Sequence, residues 1–98
     1  MTLRDRESYD RAFAIVRSTI NAWDPEGLVS GGAPLDEWDS EVAKIVAQIP
    51  RMRNEQDAVH AISRIFSGAL EPGPYRAENC ESVGRSLYKA LADANLLG

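Results

Sequence analysis

The sequence is poor in the residues that most often carry chemistry. It has one cysteine, Cys80, and one histidine, His60, among 98 residues. A single cysteine cannot close an internal disulfide, which fits a reducing compartment. No run approaches the ~18 consecutive apolar residues that a bilayer-spanning helix needs. The first ten residues, MTLRDRESYD, alternate charges where a secretory leader would need an apolar run. These absences lead us to expect a cytoplasmic protein with no membrane association. Catalysis at His60 or Cys80 would need an activated nucleophile or a second ligand nearby, and the spacing supplies neither. Gly31-Gly32 lacks the lysine and the Ser/Thr of a phosphate loop, and its neighbours are acidic. A chain reversal is the better reading there. No enzymatic activity and no cofactor are expected.

What remains is ordinary in amount and uneven in arrangement. With 44% hydrophobic and 27% charged residues, the chain has the make-up of one folded domain spanning 1–98. The net charge is −4, yet residues 1–18 hold four arginines against three acids. Residues 44–98 hold seven basic groups against six acids. The excess therefore sits in NAWDPEGLVSGGAPLDEWDSEVA, residues 21–43, with six carboxylates and no lysine or arginine. Such a balance argues against nucleic acid, whose binding depends on neutralising phosphates, and for a basic protein partner or a cation.

Apolar residues recur at helical spacing in four places: Tyr9, Phe13, Val16, Ile20; Trp38, Val42, Ile45, Ile49; Val59, Ile62, Phe66, Ala69; and Cys80, Val83, Leu87, Leu91, Ala94. Each line gives one helix one apolar face, and none alternates with the period of two that a strand requires. The expected fold is all-α, a compact four-helix array. A long structured loop, Asn21–Leu35, would carry a short helical turn. Asp24 is placed to cap that turn ahead of Pro25, Asp36 to cap the second long helix, and Asn54 the third. EPGPY, residues 71–75, reads as a rigid connector before the last helix, at about 77–95.

The segment Trp23-Asp24-Pro25-Glu26-Gly27-Leu28, followed by Gly32-Ala33-Pro34, Asp36-Glu37-Trp38-Asp39 and Glu41, resembles the DUF1871 family of small bacterial proteins of unknown function. Its pattern is WDPxGLxxxGAPxDEYDxE between two helices. The resemblance is dense over roughly twenty residues and looser over about 9–70; residues from Glu71 onward fall outside it. Trp38 stands where the family more often has tyrosine, which removes a hydroxyl. The resemblance implies no activity to carry over. Small acidic helical proteins include immunity factors for bacterial toxins, an analogy of size and charge alone.

Two readings of the acidic stretch follow. In the first, Trp23, Asp24, Glu26, Asp36, Glu37, Trp38, Asp39 and Glu41 form a docking surface for a basic protein such as a toxin or nuclease. The helix caps would hold the carboxylates outward as one negative face. In the second, Asp36, Asp39 and Glu41 ligate a divalent cation, although the segment lacks the glycine turn of a calcium loop. A purely structural loop, with helix caps and a self-associating apolar face forming a homodimer, is the plainest alternative. Both tryptophans adjoin helical lines and are expected to contribute to the core, each with a local partner for its indole N–H.

Overall fold

The structure, a computed structural model, describes residues 5–97. The first four residues of the charge-alternating N-terminus and the last residue of the expected domain lie outside the described residues. The described residues form four α-helices: α1 (Arg6–Trp23), α2 (Asp39–Gln48), α3 (Glu55–Ala69) and α4 (Glu81–Asp93). The connections carry short 3-10 turns at Pro25–Gly27, Ile49–Arg51, Gly73–Tyr75 and Ala77–Asn79. Each helix packs most extensively on two others, in the cycle α1–α2–α3–α4 and back to α1. The radius of gyration is 12.6 Å, close to the ~13 Å of a compact chain of this length. The expected all-α, four-helix array is what the chain forms, and no helix among the described residues is long and apolar enough to cross a membrane.

The helical lines land on the core with one rotation. In α2, Val42 and Ile45 are buried, and Trp38 and Ile49 extend the line at either end. In α3 the buried face is Ala58, Val59, Ala61, Ile62 and Phe66, whereas Ala69 is exposed. In α1 the buried line is Ser8, Ala12, Val16 and Ile20, so Tyr9 is 39% exposed and Phe13 only half-buried. Small side chains at 8 and 12 let the first half of α1 approach its neighbours on that face. The bulkier aromatics one position on are left at the edge.

Gly84 belongs to the core of α4 and crosses α3 at close range. A Cβ there would lie 2.7 Å from Val59 Cα and 2.9 Å from Val59 N. The α3–α4 seam depends on this missing side chain. Past α4, the Leu96 N–H reaches the Leu91 carbonyl and the Asn95 N–H reaches Ala92, with Asn95 left-handed at φ 59°. That is a Schellman closure, and it tucks Leu96 into the core, 1% exposed. Arg11 Nη2 donates to the Ala94 carbonyl at 2.9 Å, tying α1 to the same helix end.

Capping is partly as expected. Asn54 accepts from the Asp57 N–H at 2.9 Å, and the Asp57 carboxylate accepts from the Arg53 N–H, a reciprocal arrangement at the start of α3. Asp36, in contrast, caps nothing. Its carbonyl accepts the Asp39 N–H in a turn, so α2 starts at Asp39, with Trp38 at the cap position and no side-chain bond there. Asp24 does not cap the turn at Pro25 either. It ends α1 in the left-handed region, φ 55°, with its N–H on the Ile20 carbonyl.

Candidate functional site

The acidic loop is built from α1 outward. The Asp24 carboxylate turns forward along the chain and accepts the Val29 N–H at 2.9 Å and the Ser30 N–H at 3.2 Å. The Ser30 side chain, against an opposing effect of burial, and the two amides hold this carboxyl below the usual carboxylate range. The chain then turns back at Gly32, φ 103°, where the Gly32 N–H meets Val29 and the Ala33 N–H meets Leu28. This is the chain reversal the glycines suggested. Asn21 Nδ2 donates to the Leu35 carbonyl at 2.8 Å and holds the far limb of the loop against α1.

Two more carboxylates have internal partners. Tyr75, 3% exposed, donates its hydroxyl to Glu26 Oε2 at 2.6 Å. Burial, then the hydrogen bond to Glu26 and that carboxylate's charge, push the Tyr75 phenol far above its ordinary range, so it remains a donor. Asp39 receives the Arg17 guanidinium in a two-pronged pair, Nε to Oδ1 at 2.9 Å and Nη2 to Oδ2. The Asp39 hydrogen bond, with the charges of Asp39 and Asp36, holds Arg17 in its charged form. The Arg17 guanidinium carbon also lies 5.3 Å from the centre of the Phe13 ring.

The expectation of six carboxylates presented outward as one face is therefore corrected. Asp24, Glu26 and Asp39 are spent on the loop's own amides, on a phenol and on an arginine. Asp36 and Glu37 are exposed and Glu41 is half-buried, and none of the three side chains has a hydrogen bond or ion pair among the described residues. The cation reading is also corrected. No three acidic, histidine or cysteine side chains among the described residues lie close enough together to hold a metal ion, and Arg17 already occupies Asp39.

Trp38 is 6% exposed and belongs to the core, so it is removed from the docking set. Its indole N–H, expected to find a local partner, meets no acceptor among the described residues. Trp23 is half-buried. The two rings are joined through a third: Phe66 lies edge-on to both, with centroids 5.3 Å from each. Tyr75 completes the cluster, 5.6 Å from Phe66 and 5.9 Å from Trp23. This aromatic knot fastens both ends of the acidic loop to α3.

His60 is exposed on α3, and Cys80 is buried, its thiol pushed up by that burial. Three participants are absent from the residues expected at the site. Arg17 and Tyr75 reach their carboxylates across 22 and 49 positions of chain, separations that no local pattern encodes. Tyr75 alone had a hint, as the one aromatic in the proline connector. The third is Leu35, 64% exposed and immediately ahead of Asp36 and Glu37.

The fold and this loop define a small helical protein with an apolar-and-acidic edge. Comparison with protein-family models, with curated proteins and with solved structures returned no match.

Proposed function

We propose that the protein is a non-enzymatic interaction module that docks a basic protein through the edge at residues 35–41, inhibition of a toxin or nuclease being the sharpest form. One observation carries the reading: the exposed Leu35 stands beside Asp36 and Glu37, with Glu41 beyond them, and these three carboxylates have no counter-charge bonded to them among the described residues. An apolar anchor next to like charges is suited to a partner with the opposite charge, and such a field speeds association and makes it salt-sensitive. The motif resemblance to DUF1871 covers the same edge and adds no activity. A cytoplasmic setting belongs to the proposal, supported by the lone, buried Cys80.

The test is affinity capture from native lysate at low and high salt, with wild type beside the Glu37→Lys/Glu41→Lys variant. A basic protein held at low salt, released at high salt and lost in the variant supports the reading. Capture that is the same for both proteins and insensitive to salt overturns it.

A further inference from the structure

Beside the acidic edge runs an open groove of about 380 Å3, bounded by Ala14, Arg17, Ser18 and Asn21 of α1 and by Leu35 of the loop. Ala14, Ser18 and Asn21 are spaced by four and three residues, so they form one line along α1, roughly 10 Å long at 1.5 Å per residue. Leu35 makes the opposite wall, held there by the Asn21 bond to its carbonyl. Arg17 also borders the groove, and its guanidinium is committed to Asp39. Asp36 follows Leu35 directly in the chain and is exposed, so the acidic edge begins where the loop wall of the groove ends.

We infer that this groove receives a basic amphipathic helix of the partner, with an aliphatic side chain seated between Leu35 and Ala14 and a lysine or arginine against Asp36 and Glu37. The inference rests on the docking reading above and names its occupant. The small side chains at 14 and 18 let another helix come near α1. The two-turn length matches anchors spaced by three and four residues on such a helix. An extended segment has no sheet edge to join among the described residues. The acidic edge decides the charge of the occupant: Arg17, the cation among the lining residues, is already paired, whereas Asp36 and Glu37 are bonded to no cation among the described residues. An acidic helix would meet repulsion there, and a neutral one would leave the edge charges unanswered.

The experiment uses the whole chain as bait against a displayed library of randomised helical peptides. Binders are then measured against wild type, Ala14→Gln, Leu35→Ser and Glu37→Lys/Glu41→Lys. Positions 14 and 35 are exposed, so those two variants keep the far-ultraviolet circular dichroism of the parent. The expected binders pair leucine, isoleucine or methionine at three- and four-residue spacing with flanking lysine or arginine, and lose about tenfold or more on each variant. Binders without basic residues, or an absence of binders, overturn the inference. Loss on charge reversal with full binding to Ala14→Gln and Leu35→Ser sinks the groove and leaves the acidic docking reading standing. Full binding to the charge-reversed protein sinks both.

Discussion

Replacing Gly84 by alanine tests the packing argument most sharply, because the same exchange at Gly68 should act in the opposite direction. An added Cβ at 84 would sit 2.7 Å from Val59 Cα and 2.9 Å from Val59 N, both backbone atoms of α3. Carbon contacts settle near 3.5–4.0 Å, so the two helices must part by roughly 1 Å. A gap of that size forfeits about a quarter to a half of each dispersion contact it opens, and α3–α4 is the most extensive helix pair in the fold. Overpacking of this kind costs about 1–3 kcal/mol, and a clash with backbone belongs at the upper end. Alanine regains ~1 kcal/mol of helix propensity, which leaves a net loss of about 2 kcal/mol. At roughly 4–8 °C per kcal/mol for a domain of this size, Tm falls by about 8–16 °C. At Gly68, also inside α3, a Cβ meets nothing within 4 Å. There the propensity term acts alone, and Gly68→Ala should stabilise by about 0.5–1 kcal/mol. Urea titration followed by tryptophan fluorescence measures both. Equal effects at the two positions would refute the close approach. So would full recovery of Gly84→Ala by adding Val59→Ala, because that change clears the Val59 side chain and leaves the backbone clash.

Phe66→Ala should cost about 3–5 kcal/mol and collapse the near-ultraviolet circular dichroism, since both tryptophans lie against this ring; a loss under about 1 kcal/mol would show that the aromatic knot is not what holds the loop. Acid should loosen the protein through Asp24. Its folded-state pKa lies below the unfolded one, so its contribution is fully present above about pH 4 and is lost as pH falls through the lowered folded value. Asp24→Asn should flatten the stability profile below about pH 4, and an unchanged slope would remove Asp24 from the account.

The helices were legible because each apolar line is long and has one period, and a buried face on a short helix is sufficient instruction for tertiary packing. The α1 line holds at Val16 and Ile20 and departs by one position in its first half, where size, and not hydropathy, chooses the buried face at Ser8 and Ala12. The loop was legible as a loop, through its glycines and prolines, but not in its wiring. A carboxylate before Pro25 looks like an N-cap from the sequence. Whether its oxygens point back to that turn or on to the Val29 and Ser30 amides depends on the left-handed backbone at Asp24, which a list of residues does not encode. Arg17 and Tyr75 were hidden for a related reason. A partner that arrives from another helix or another connector leaves no mark at the position it serves.

The division of the six carboxylates separates the stability of the loop from its charge. Asp24 organises the first limb, Glu26 secures it to the Tyr75 connector, and Asp39 anchors the start of α2 to α1. Substituting any of these disturbs the scaffold, so a loss of binding on their removal would say nothing about recognition. Asp36, Glu37 and Glu41 hold no such bonds among the described residues. Their removal should change the field and leave the fold alone. With them at the edge of a braced loop, an approaching partner meets carboxylates whose backbone is already ordered, and little further ordering entropy is lost on docking. A charged loop left unbraced would have to be ordered by its partner, at a cost in affinity. The three bonded carboxylates, Asp24, Glu26 and Asp39, are therefore what make the other three usable as a surface.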